Sequence, residues 1–293
     1  MAHFSYEEPN AQFLPPSDFF DQIAEVAHNC YRVKEKGHSE NVLFVHRLIE
    51  SGHLAMIEHY RFLFEVPEAL FHDLERLHDP FLLLESGKGR YVVSLSLRPL
   101  LERGSTSDAL QALSGALPEE ISSLLPFPVR KDGSVRLLPL AEAKTFLAPE
   151  AAKEIDFSSY RIRTDRGVTH ELVRHRLCSF AQESTRYCNY SKDKFGHELK
   201  FLKPCGYDKD PEVYDAFFEE AACAYFLLLE DGALPQEARA VLPNALMSTI
   251  IVTASQSEWE HIFALRLAPE AHPDIRRTLL LVAEDQRKRG LLQ

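Results

Sequence analysis

The chain has 293 residues, 45% of them hydrophobic and 26% charged, with a formal net charge of −11. That composition belongs to ordinary globular proteins rather than disordered or fibrous ones. The acidic balance argues against wholesale nucleic-acid binding, which needs a basic surface, but leaves room for a small anionic ligand in a local basic pocket. No apolar run is long enough to span a bilayer, and MAHFSYEEPN lacks the basic-then-apolar organisation of a secretory signal. Cys30, Cys178, Cys188, Cys205 and Cys223 form no CxxC pair. Neither a disulfide framework nor a thiolate zinc site is therefore expected, and a reducing cytoplasm is the expected setting.

In chain order, Ser17 is placed to cap a helix running to Val26, with Ile23 and Val26 on its apolar face. SENVLFVHRLIESG reads as a second helix, with Ser39 as N-cap, Val42, Val45, Leu48 and Ile49 at helical spacing, and Gly52 as the stop. GHLAMIEH leads into YRFLFEV, whose alternating Phe62, Phe64 and Val66 predict a half-buried strand. From about Pro67 to about Ser158, short elements broken by Pro and Gly suggest an inserted subdomain or cover. YRIRTDRG then predicts a strand and turn feeding a helix, VTHELVRHR, with Arg174 and Arg176 on different sides. A helix follows from Pro211 to Gly232, a shorter one from Pro235, and a buried strand at STIIVTAS. SEWEHIFALRL and HPDIRRTLLLVAEDQRKRG close the chain as helices. No period of about 20–50 residues recurs. RYVVSLSLRPLLERG and TIIVTASQSEWEHIFALR share a strand–turn–helix reading, an echo too faint to count as a repeat.

HELVRH invites a zinc reading, but His170 and His175 are five residues apart. On a continuous helix they would lie about 140° apart and could not share one metal, so no metal is expected. Cys178 beside arginines could be an activated thiol; a small buried side chain is the preferred reading. There is no GxGxxG and no GxxxxGK[ST], so any nucleotide must be held by side chains. Arg161, Arg163, Arg166, Arg174, Arg176 and Arg186 crowd a short stretch against only Asp165, Glu171 and Glu183. A charge run is usually a solvated face. Here Val173, Leu177 and Phe180 share the predicted helix, so at least one arginine meets packed structure. Ser184 and Arg186 add a hydroxyl and a planar fork able to converge on one phosphate.

The run Arg174, His175, Arg176, then Ser184 after seven residues, continuing to Arg186 and Tyr187, resembles the hallmark of flavin-dependent thymidylate synthases. SGHLAMIEH resembles that family's GHxxxxEH element, keeping Gly52, His53, Glu58 and His59. STRYCNYSKDKFG, EARAVLPN, Trp259–His261, Leu265–Arg266 and Ala271–Pro273 follow in family order. The resemblance implies an α+β fold with a mixed sheet flanked by long helices, one catalytic domain interrupted by the insertion at about 67–158. It implies a homotetramer that uses FAD, dUMP, methylenetetrahydrofolate and NADPH to make dTMP by reductive methylation. By position it implies catalytic roles for Arg266, Ser184 and His53. Cofactor contacts would come from Arg174, His175, Arg176, Glu58, Gln182, His261, Leu265 and His272. Substrate contacts would come from Glu171, Gln182, Ser184, Thr185, Arg186, Arg239 and Arg266. Leu54, Ala55, Ser255 and Ser257 depart from the family pattern, the last two where Asn and Arg often touch FAD. A family member that binds flavin or nucleotide without turnover is the alternative.

Overall fold

The computed structural model describes residues 4–31, 37–131 and 133–292, so the first three residues of the N-terminal stretch lie outside it. Strands β1 (Phe4–Tyr6) and β2 (Asn10–Leu14) precede helix α1 (Phe19–Tyr31). Ser17 does not cap α1. Asp18 does, its carboxylate accepting from the backbone N–H groups of Phe20 and Asp21 at 3.0 and 3.2 Å. It stands directly before the first turn, where a short acceptor reaches the free N–H groups. Helix α2 (His38–Glu50) starts after Gly37 without a side-chain cap, which places Ser39 inside its first turn rather than at its cap. Its end is as expected. Gly52 adopts φ 74°, and the Gly52 and His53 N–H groups bond Ile49 O and Leu48 O at 3.0 and 2.9 Å. This is the paired closure that a left-handed residue permits.

After a 3-10 turn over Leu54–His59 comes β3 (Phe62–Val66), with Phe62, Phe64 and Val66 buried in alternation. Next are α3 (Glu68–Glu75), β4 (Leu83–Gly87), β5 (Arg90–Leu95), α4 (Arg98–Arg103) and, beyond several short turns, β6 (Arg136–Leu137). These strands form one sheet in the order β4-β5-β3-β6. Its buried face packs Phe64, Val93 and Leu95 against Ile23 of α1 and Val45 of α2.

The remainder runs β7 (Phe157–Asp165), α5 (Arg166–Leu172), β8 (Ser179–Gln182), β9 (Leu199–Phe201), α6 (Pro211–Glu230), β10 (Met247–Ser255), α7 (Gln256–Arg266) and α8 (Pro273–Lys288). The second sheet has the order β2-β7-β10-β8. STIIVTAS lies in its β10, which is buried along its whole length. Tyr160, Ile250, Trp259 and Leu279 form the core between this sheet and α7 and α8. The class is α+β, but the expected mixed sheet is not found. Both four-stranded sheets are antiparallel, and among the described residues parallel pairing is confined to the separate β1–β9 ribbon. The crossovers β3–α3–β4 and β7–α5–β8 each skip one position. The strand filling that gap, β5 or β10, runs the opposite way. Among the described residues no helix is long and apolar enough to cross a membrane.

Candidate active site

Asp165 caps α5 by accepting from the Val168 N–H at 2.6 Å. The helix ends at Leu172, not beyond Arg176 as the spacing suggested. Two tight turns follow, His175 N–H to Leu172 O at 3.0 Å and Cys178 N–H to His175 O at 3.2 Å. They deliver β8 to the edge of β10, where Ala181 pairs with Ile251. Arg174 and Arg176 therefore project from a turn and not from opposite helix faces. His170 is exposed on α5 while His175 is buried beyond its end, so the helical angle between them does not apply.

Arg266, in the last turn of α7, meets this turn. Its Nε donates to His175 Nε2 at 3.1 Å, and its two terminal nitrogens donate to Glu171 Oε2 at 2.8 Å and Glu171 O at 3.1 Å. Because Nε2 accepts, the imidazole proton belongs on Nδ1, which faces Glu258 Oε1 at 3.5 Å. The His261 ring stands edge-on to His175 at 5.9 Å. Ligand atoms of His175, Glu258 and His261 lie within 4.8 Å of one another. The Arg266 charge on the same imidazole opposes a cation there. Cys178 points its Sγ at Glu258 Oε1, 3.9 Å away. Burial first, and the Glu258 charge second, push this thiol up, which keeps it protonated and argues against a thiolate nucleophile.

The arginine run divides in two. Arg161 and Arg163 lie on the sheet and pair with Glu25 at 3.1 Å and Glu7 at 2.7 Å. Arg174, Arg176 and Arg239 are exposed and make no hydrogen bond or ion pair through their side chains among the described residues. Among the described residues the Arg186 guanidinium meets the Tyr187 ring, whose centroid is 5.5 Å from its central carbon. The turn carrying Arg186 is anchored by Ser184, whose N–H bonds Cys30 O at 3.2 Å and whose hydroxyl accepts from the Arg186 N–H at 3.4 Å. Thr185 is buried. The Gln182 amide is turned into the protein, donating to Thr169 Oγ1 and Ser248 Oγ at 2.8 and 3.2 Å.

The structure thus joins Glu171, His175 and Arg266, with His261 and the exposed Leu265 on the adjoining face of α7. It does not link His53, Arg239 or His272 to them by a hydrogen bond or ion pair among the described residues. His53 is exposed and closes α2 through its backbone, while His272 caps α8 by accepting from the Asp274 N–H at 3.3 Å. Glu58 forms an ion pair with Arg98, and its carbonyl accepts from Ser179 Oγ at 3.4 Å. Two residues escaped the sequence reading. Glu258 was legible in principle, since 258, 261 and 265 fall on one helix face. Arg98 carried no local signal, because its partner is distant in sequence.

A family model described as Thymidylate synthase complementing protein matches residues 152–289. Flavin-dependent thymidylate synthase from Geobacter sulfurreducens is 37% identical over 111 residues, 38% of this chain and 47% of the relative. The enzyme of that name from Pyrococcus abyssi is 35% identical over 131 residues, 44% and 53% of the two chains. The one from Mycolicibacterium vanbaalenii is 36% identical over 138 residues, 41% and 53%. The chain spans about half the length of the curated relatives it matches. The matched region contains α5, the two turns after it, β8, β10 and α7, the elements that hold Glu171, His175 and Arg266. Residues 152–289 are thus similar to the thymidylate synthase complementing protein family.

Proposed function

We propose that the protein is a flavin-dependent thymidylate synthase, converting dUMP to dTMP with methylenetetrahydrofolate as one-carbon donor and NADPH as reductant. One observation carries this reading: Glu171 and His175, from α5 and the turn after it, meet Arg266 of α7 in one hydrogen-bonded cluster, with exposed guanidiniums on the same turn that have no acid partner among the described residues. The residues fit FAD and the other ligands in charge, since all are anionic and Arg174, Arg176 and Arg186 keep their full field toward solvent. When bound, FAD would supply the redox chemistry, and the protein would supply orientation and electrostatics. Arg174, His175 and Arg176 would face flavin and folate. The Ser184–Arg186 turn offers a hydroxyl and a fork to the nucleotide phosphate, with Arg239 adding a cation from a neighbouring subunit of a homotetramer. Glu171 and His175 hold the Arg266 guanidinium in one orientation, so its charge is already aimed where negative charge develops on the pyrimidine ring.

The test is the visible spectrum of the purified protein before and after FAD is added, followed by NADPH-dependent release of the C5 proton of dUMP. Flavin uptake with proton release is the expected result. A protein that takes up no flavin overturns the reading. Flavin uptake without proton release would instead favour a binding or regulatory family member.

A further inference from the structure

The two four-stranded sheets share one plan. β3–α3–β4–β5–α4 and β7–α5–β8–β10–α7 each run strand, helix, edge strand, central strand, helix, the second with β9 and α6 inserted between β8 and β10. In space the strands lie β4-β5-β3 and β8-β10-β7, antiparallel in both. Setting Val92 on Ile251 aligns the faint echo in the sequence, and the burial pattern then agrees position by position from Val92 to Glu102 and from Ile251 to His261. The aligned hydroxyls Ser94 and Thr253 are both held by the segment joining the sheets, through Arg61 Nε at 3.3 Å and His59 Nδ1 at 2.7 Å. The same alignment sets Ser96 on Ser255 and Arg98 on Ser257.

A cavity of about 340 Å³ opens at the seam between these two units, within the range of about 300–1,000 Å³ common for small-molecule sites. Phe81, Arg98 and Leu177 are among its lining residues, together with the carboxylates of Glu58, Asp79 and Glu102. Phe81 is 50% exposed and Leu177 63% exposed, an open apolar slot. Arg98 is held by Glu58 and, at 2.9 Å, by Glu102, a half-exposed partner one helical turn away. Such a surface pair is weak, so a ligand oxygen can take its place.

We propose that Arg98 is a flavin-binding residue: the duplicated unit supplies, across the seam, the cation that Ser257 does not provide. The planar ring lies between Phe81 and Leu177, beside the segment that follows the Arg174–Arg176 turn. This rests on the flavin reading above. FAD titration followed by flavin fluorescence compares the intact chain with Arg98→Ala, Arg98→Lys and Phe81→Ala, with Arg76→Ala, a surface arginine away from the cavity, as control. The expected result is a Kd raised tenfold or more in Arg98→Ala and Phe81→Ala, a smaller rise in Arg98→Lys, and none in the control. Phe81→Ala removes an exposed wall and keeps the test open should Arg98→Ala fail to fold. Wild-type affinity in Arg98→Ala or Phe81→Ala would overturn the proposal while leaving the flavin reading intact. An intact chain that binds no FAD would overturn both.

Discussion

Two groups of arginines are used in opposite ways. Beside β3 and β5, Arg90 is bidentate to Glu65 at 2.6 and 3.0 Å and bonds Glu142 at 2.7 Å. Arg136 shares both acids, and Arg103 pairs with the buried Asp79. After α5, β8 and α6, by contrast, Arg174, Arg176, Arg186 and Arg239 are exposed and pair with no acid among the described residues. The chain carries 44 acidic residues against 33 basic ones. Guanidiniums with no acid among the described residues of so acidic a chain mark a positive patch of surface. One scaffold thus gives a neutralised face, which holds structure together, and an open one, which retains a field for anions.

The sharpest way to break this comparison is Arg266→Ala. It removes the cation bound to both His175 and Glu171, and C5 proton release should fall by about a hundredfold or more. Retained turnover would remove Arg266 from the machinery. Next comes the seam itself. His59 is buried against Thr253, and burial lowers its pKa from 6.5 to about 4. Between those values the unfolded chain binds a proton that the folded chain refuses, so stability should fall as pH drops from about 6.5 towards 4, by up to roughly 3 kcal/mol. Denaturant unfolding of the wild type and His59→Gln at both ends of that window measures it; identical pH slopes would refute it. Arg186→Ala should weaken dUMP binding about tenfold with little change in melting temperature. Arg90→Ala, on the neutralised face, should do the reverse, lowering the melting temperature and leaving dUMP binding alone. If both behave alike, the contrast between the faces fails. The smallest effect is expected for Cys178→Ala, with proton release kept within about threefold because the thiol is held protonated.

Much of the fold was legible. The alternation in YRFLFEV, the unbroken apolar run of β10 and the Pro-to-Gly span of α6 are local patterns, and local patterns report periodicity and stops. The misplacements also have physical causes. Asp18 displaced Ser17 as a cap because it is one residue nearer the first turn. Helix α5 ended early because pairing of β8 with β10 outweighs helical propensity in RHRLC. The antiparallel sheets and the shared plan were invisible because each depends on which strand fills a gap left by another.

The sequence by itself set out the arginines, His175 and Ser184 in a spacing that resembles one family. Only the tertiary structure decided which of those arginines are spent on carboxylates and which have none among the described residues. It also decided that Arg266 is locked to His175 and Glu171, and that Arg98 reaches Glu58 across the seam. Ion pairing depends on distance through space, and a residue's partner can lie anywhere along the chain.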